Sequence, residues 1–399
     1  MLGKLKNCLL ILAVCSTIIE NMGGIPLFIC IAYFLVSLLD FAGFGTVSYS
    51  NEGKKISKLW VCLFVYLTII TGIFSSSKAD YSIINLQWLK ALVLFILVMK
   101  DTYNQPKLLF KMSVLYIITA FVCAVLMMNG IGTQFDPTEI GESRLTFLGT
   151  NANKMAMVYV YSFTFALFLL DYYIQRREKM FVIMPLLLMY MALCVFIMAN
   201  MASRGAFVCI LIELVYFFFF YRKTNSIWKN LLIVVLGLFF VVEGYEYISN
   251  ISVFSKRMEM MAEGDYGQRN MLVSAAWNIF IDHPFFGVGL AEVMNLIGHQ
   301  IGEAKTPHNL FLYILSAGGI IGFSLFMVII YKTVVVVYKY GYRRKLLLPV
   351  LLMICILIDF AKNGGALTTA VNYVFFAIAL NSCFFPNDIT IFDIKSKIK

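Results

Sequence analysis

"TPHNLFLYILSAGGIIGFSLFMVIIY", residues 306–331, decides the fold. From Leu310 to Tyr331 no side chain is charged, which meets the requirement of roughly 17–25 apolar residues for a helix that crosses a bilayer. The polar residues gather at its front edge: Thr306, Pro307, His308 and Asn309. His308 is one of only three histidines among 399 residues, so its place at the lip of an apolar run calls for a chemical reason.

Working outward, the rest of the chain has the same character. Hydrophobic residues make up 61% and charged residues 14%, against about 45–50% and about 25% in soluble domains. The fold class is an all-α polytopic membrane protein with about twelve spans, near 7–20, 25–44, 58–75, 82–99, 112–132, 154–173, 180–200, 205–221, 230–248, 309–333, 346–361 and 366–383. No break in composition divides the chain, so 1–399 reads as a single integral membrane domain. Its one long hydrophilic stretch, the outer loop 249–308, lies between spans nine and ten.

Lys and Arg concentrate in alternate loops, around Lys4 and Lys6, Lys54 to Lys58, Lys100 to Lys111, Arg176 to Lys179, Arg222 to Lys229, Lys332 to Lys345, and Lys395 to Lys399. By the positive-inside rule those loops and both termini are cytoplasmic. The formal charge of +10 is therefore a topology signal and gives no reason to expect a nucleic-acid partner. The nine cysteines fall in or at the edge of spans, without metal-ligand spacing, and read as apolar packers.

Within the long loop, "GQRNMLVSAAWNIFIDHPFFGVGL" (267–290) places Met271, Leu272, Ala275, Ala276, Ile279 and Phe280 at helical spacing, which predicts an amphipathic helix on the outer surface. Pro284, Gly287 and Gly289 end it in a tight turn, with His283 closing the helix and His299 on the loop surface.

A few basic residues escape the cytoplasmic loops. Arg144 lies in "GESRLTFLGTNANKMAM" (141–157), Arg204 in "NMASRGAFVCI" (200–210), and Arg269 opens the predicted loop helix. A lone interfacial arginine ordinarily snorkels to headgroups. These three instead sit beside Gly, Ser or Asn on the side poor in positive charge. There the sixth, eighth and tenth spans present helix N-termini, with their unsatisfied N–H groups and positive dipole ends. Asn151 or Asn153, Ser203 and Asn309 are suited to cap those ends. Arginine at a helix N-terminus makes an anion site, above all for phosphate, which guanidinium grips bidentately. Positive surroundings disfavour imidazolium, so His308 is expected to be neutral, as a general base must be.

The remaining polar residues carry weaker signals. The pair Glu263 and Asp265 resembles the acidic pair of metal-dependent glycosyl transfer. Lys90 and Glu213 each lie near mid-span, where charge is expensive, and are read as a structural bridge.

The order R-x4-G-x-N, then SRG before a span, then R-x7-W-x5-HP-x2-G-x-G, then PHNLFL-x4-AGG-x-IG resembles the O-antigen polymerase and O-antigen ligase family over about 142–325. The resemblance implies a glycosyltransferase-C-like membrane enzyme of the bacterial cytoplasmic membrane, acting on its periplasmic or external face. Such an enzyme transfers glycan from an undecaprenyl diphosphate carrier to a sugar hydroxyl, with no metal or other cofactor. By motif position His308 would activate the acceptor, and Arg204 and Arg269 would bind the diphosphate. Arg144 would support it or the glycan, while Asn309, Ser203 and Asn151 would be supporting residues. Tyr266, Trp277 and Phe285 are suited to stack on sugars. The implied partners are the undecaprenyl-diphosphate-linked oligosaccharide and the membrane, with a chain-length regulator protein as a candidate.

Two activities stay open within the family. A polymerase passes the chain to another lipid-linked unit, and a ligase passes it to lipid A–core; the Pro-His-Asn-Leu start and compact loop favour the polymerase. A flippase or transporter is the rival outside the family. It would place polar residues at mid-membrane, whereas here they sit at the outer helix ends.

Overall fold

The computed structural model describes residues 2–19, 24–42, 50–74, 78–137, 143–176, 180–221, 255–256, 259, 269–302 and 304–385. The predicted ninth span, Glu263, Asp265 and Tyr266 lie outside these residues. The described helices are α1 (Leu2–Ser16), α2 (Gly24–Ala42), α3 (Asn51–Phe74), α4 (Lys78–Thr102), α5 (Pro106–Met128), α6 (Ala152–Arg176), α7 (Met180–Asn200) and α8 (Arg204–Val215). They continue with α9 (Arg269–Asp282), α10 (Leu290–Ile301), α11 (Leu310–Val336), α12 (Leu347–Lys362) and α13 (Ala370–Ser382).

Every predicted span that falls on described residues coincides with a helix. Among the described residues, seven helical segments are long and apolar enough to cross a membrane: Leu2–Ile19, Asn51–Phe74, Pro106–Met128, Ala152–Arg176, Phe181–Asn200, Arg204–Tyr221 and Leu310–Tyr342. The figure of twelve remains an expectation from hydropathy, because α4 is interrupted by charges such as Lys90 and α13 is only 13 residues long. The described chain is thus an all-α polytopic membrane fold with one departure. The polar segment ahead of α6 folds as an antiparallel hairpin of β1 (Thr133–Pro137) and β2 (Ser143–Phe147), with Asp136 opposite Arg144.

The sequence favours these helices at recognisable points. Pro106 begins α5 at a first-turn position, where its missing N–H costs nothing. Asn309 caps α11, its side chain accepting from Leu312 N at 3.0 Å. The core runs along α6, which is buried almost throughout, and continues into α13 and α3. There Tyr161 stacks on Phe375 with centroids 4.1 Å apart, and Trp60 packs on Tyr373 at 5.1 Å. Tyr373 also accepts a hydrogen bond from Trp88 Nε1 at 2.6 Å. The opposite helix faces expose Phe28, Ile73, Phe181 and Met189, as surfaces facing lipid should.

Two glycine motifs explain each other. α11 is broken at Gly319, whose φ of 59° and ψ of −163° are open essentially to glycine alone. The turn after α9 crosses this break. Val288 N donates to Ser316 O at 3.2 Å, Gly289 N to Ala317 O at 2.8 Å, and Ile320 N to Pro284 O at 2.8 Å. A Cβ on Gly287 would collide with the Ala317 carbonyl, and one on Gly319 with the Phe285 carbonyl. The turn therefore supplies partners to the backbone groups that the break leaves unpaired, as a membrane interior requires.

The predicted loop helix exists as α9. It buries Leu272, Ala275, Ala276 and Ile279 but leaves Met271 exposed. Beyond the turn the loop does not stay irregular. α10 follows, so His299 lies on the last turn of a helix and not on a loop. Its start is fixed by tertiary bonds that local pattern does not encode: Leu290 N donates to Thr71 Oγ1 at 3.0 Å and Tyr313 Oη to Leu290 O at 2.8 Å.

The Lys90–Glu213 bridge is not formed. Glu213 Oε1 accepts from Thr164 Oγ1 and, at 2.6 Å, from Cys355 Sγ, while Oε2 has no hydrogen-bond partner. Two weak neighbouring donors replace the distant lysine.

Candidate functional site

The beginnings of α8, α9 and α11 and the end of α12 converge at one end of the bundle. α7 turns into α8 through Ala202, which takes a φ of 48°, and Ser203 then stands at the N-cap position of α8. Its side chain makes no capping bond; Oγ is buried without a hydrogen-bond partner in a residue only 1% exposed. The expected role of Ser203 as a side-chain cap is therefore corrected. The backbone carbonyl serves instead, accepting from Ala206 N at 3.0 Å.

Arg204 is the first residue of α8 and Arg269 the first of α9. The Arg269 guanidinium is pulled below its ordinary range by burial first and by the nearby Arg204 charge second. It remains cationic, as guanidinium does in proteins. Two like charges held near each other repel, and an anion between them would relieve that repulsion.

His308 precedes the Asn309 cap and adopts a left-handed φ of 49°, uncommon for a side chain of this size. The backbone there is confined by Gly364, where a Cβ would stand 2.9 Å from Thr306 Cβ and 3.1 Å from His308 N. The imidazole pKa is pushed down to about 4, by burial first, then by Arg269 and by Lys305. His308, Arg269 and Arg204 thus form one electrostatic unit, although 104 positions separate the first from the last in the chain. The neutral imidazole expected from the sequence follows, with burial and not the helix end as its largest cause.

Arg144 attaches to the edge of this unit. Its Nε donates to Met201 O and its Nη2 to Asn153 Oδ1, both at 3.0 Å, which ties β2 to the turn just before Ser203. Asn151 is exposed and its Oδ1 accepts from Asn153 N at 2.9 Å, so it shapes the start of α6. No described contact brings it to the imidazole. Trp277 and Phe285 are exposed beside α9, open to a ligand outside the bundle.

Two cations to which the sequence reading gave no role also lie here, Lys305 and Lys362. Lys362 ends α12, and its side chain lies over Gly205: a Cβ there would stand 2.9 Å from the ammonium nitrogen. Their signal in the sequence is their place among the basic residues outside the cytoplasmic loops.

Residues 189–327 match a family model described as O-Antigen ligase. The matched stretch holds Ser203, Arg204, Arg269, His308 and Asn309; Arg144, Asn151 and Lys362 lie outside it. A search of curated proteins finds no match to the chain.

Proposed function

On the premise that the chain is of the O-antigen polymerase and ligase family, as the match over 189–327 supports, we propose that it is a surface-polysaccharide polymerase of the bacterial cytoplasmic membrane. It transfers a glycan from undecaprenyl diphosphate to a hydroxyl of an acceptor lipid-linked repeat unit, on the outer face and without a metal. The observation that carries this reading is a largely buried His308 beside Arg269 and Lys305, with Arg204 close to Arg269 in turn.

In the reaction the acceptor oxygen bonds to the anomeric carbon as the bond from that carbon to the diphosphate oxygen breaks. The electron pair leaves with the lipid diphosphate, whose growing charge falls between Arg204 and Arg269. Donors fixed where charge develops are the main source of such catalysis. The proton of the acceptor hydroxyl passes to His308. An anionic donor beside His308 opposes the arginines and raises the basicity of the imidazole, so the base strengthens as the substrate arrives.

A second reading, ligation of the chain to lipid A–core, is favoured by the description of the matching family. The Pro307-His308-Asn309-Leu310 start supports the polymerase. Gel analysis of polysaccharide separates them: loss of a polymerase leaves core capped with a single unit, whereas loss of a ligase leaves bare core while lipid-linked polymer accumulates. His308→Ala and Arg269→Ala are expected to abolish product at normal expression. Polysaccharide of normal length from either variant overturns the role given to that residue.

A further inference from the structure

Lys362 is unlike the other well-placed lysine of the bundle. Lys6, on α1, satisfies its ammonium with Asp40 at 2.5 Å and Asp101 at 3.1 Å. Among the described residues, Lys362 Nζ is buried with no hydrogen-bond partner. An ammonium removed from water without an acceptor is costly, and a buried unsatisfied group of this kind needs an explanation.

Its nearest carboxylate does not supply one. Asp359, one turn earlier on α12, feels the charges of Lys362 and Lys154 through space. Its Oδ2, however, accepts from Asn372 Nδ2 at 2.7 Å, and Asn372 is held by Tyr161 Oη at 2.8 Å. One carboxylate oxygen is thus anchored toward the core; the other, Oδ1, has no hydrogen-bond partner among the described residues and does not bond the ammonium. Across from the ammonium stands the first turn of α8, where Gly205 leaves room for it and Ser203 Oγ is equally unpartnered. Immediately after Lys362, Gly364 packs on Thr306 and His308. A buried ammonium and a buried serine hydroxyl, both without a hydrogen-bond partner among the described residues, therefore flank Arg204 at the start of α8.

We propose that Lys362, with Ser203 beside it, is a further ligand of the donor's diphosphate, closing the anion site from the end of α12 opposite the arginines. This rests on the polymerase-or-ligase reading above. Gly205 follows Arg204, on this account, to admit the ammonium to the phosphate oxygens.

The test uses the full-length protein in a phosphate-free maltoside detergent, with lipid-diphosphate donor kinetics and inhibition by inorganic pyrophosphate. Lys362→Met should raise the donor KM and the pyrophosphate inhibition constant about tenfold or more, the scale of a lost charge-assisted hydrogen bond, with a smaller change in kcat. Lys362→Arg should restore most of both. Gly205→Ala, which displaces the ammonium without removing it, should weaken donor and pyrophosphate in the same direction, so the proposal stays testable if Lys362→Met fails to fold.

Unchanged donor KM and pyrophosphate inhibition in Lys362→Met, alongside impairment in Arg269→Ala, overturns the assignment of Lys362 and leaves the wider reading standing. If Arg269→Ala also leaves both unchanged, the diphosphate reading itself falls. An effect of Lys362→Met confined to phospholipid bilayers assigns the ammonium to a lipid headgroup and overturns the proposal.

Discussion

At the scale of the residue, the imidazole of His308, as the proposed base, sets the pH behaviour to be expected. It acts as a base only when neutral, so activity rises as pH rises through its pKa. With that pKa pushed down to about 4 in the empty site, the acid limb of kcat/KM, which reports the free enzyme, is expected near pH 4. The limb of kcat, which reports the donor complex, should lie at higher pH, because the bound anion raises the pKa. Lys305→Gln removes one of the depressing charges and should move the kcat/KM limb upward. A kcat/KM limb at the ordinary imidazole value, unmoved by Lys305→Gln, would remove the electrostatic account. His308 and the three arginines were legible in the sequence because rare residue types stood against an apolar background. The missing Ser203 cap was not, because a serine ahead of a helix looks the same whether its hydroxyl caps the helix or is held back from it.

At the scale of the element, the lock between the α9–α10 turn and the break in α11 is the decisive feature. Adjacent glycines there should respond differently. Gly319→Ala forces a Cβ into the Phe285 carbonyl at a backbone conformation closed to alanine, with strain of about 1–3 kcal/mol before the clash is added. At Gly318 the Cβ would meet chiefly Leu67 Cδ2, at 2.8 Å, the end of a flexible side chain. Thermal unfolding in detergent should therefore show a much lower midpoint for Gly319→Ala than for Gly318→Ala. Equal midpoints would mean that the break is not held by this lock. The sequence showed each glycine motif but not their pairing, since hydrogen bonds between backbones about thirty residues apart leave no periodic trace. α10 went unread for the same reason: its start depends on Thr71 and Tyr313, which belong to other helices.

At the scale of the whole molecule, the orientation expected from the positive-inside bias can be tested directly. In intact cells a membrane-impermeant thiol reagent should label Ala304→Cys, an exposed position near His308. It should reach Lys54→Cys, exposed at the start of α3, only after permeabilisation. The reverse pattern would place the cationic site in the cytoplasm and remove the lipid-diphosphate reading with it.

The sequence by itself determined that this is a helical membrane protein, where most of its helices run, and that unusual cations and a histidine mark a set of helix starts. Those properties are local: hydropathy over about twenty residues and charge bias between loops survive without knowledge of neighbours. Only the tertiary structure decided that the starts of α8, α9 and α11 meet the end of α12, so that Arg204, Arg269 and His308 come together with Lys362 lying over Gly205. It alone decided that the imidazole is half-buried and that Lys362 and Ser203 lack partners, whereas Glu213 finds Thr164 and Cys355. Burial and through-space charge depend on which distant segments meet, and the order of residues along one helix does not contain that information.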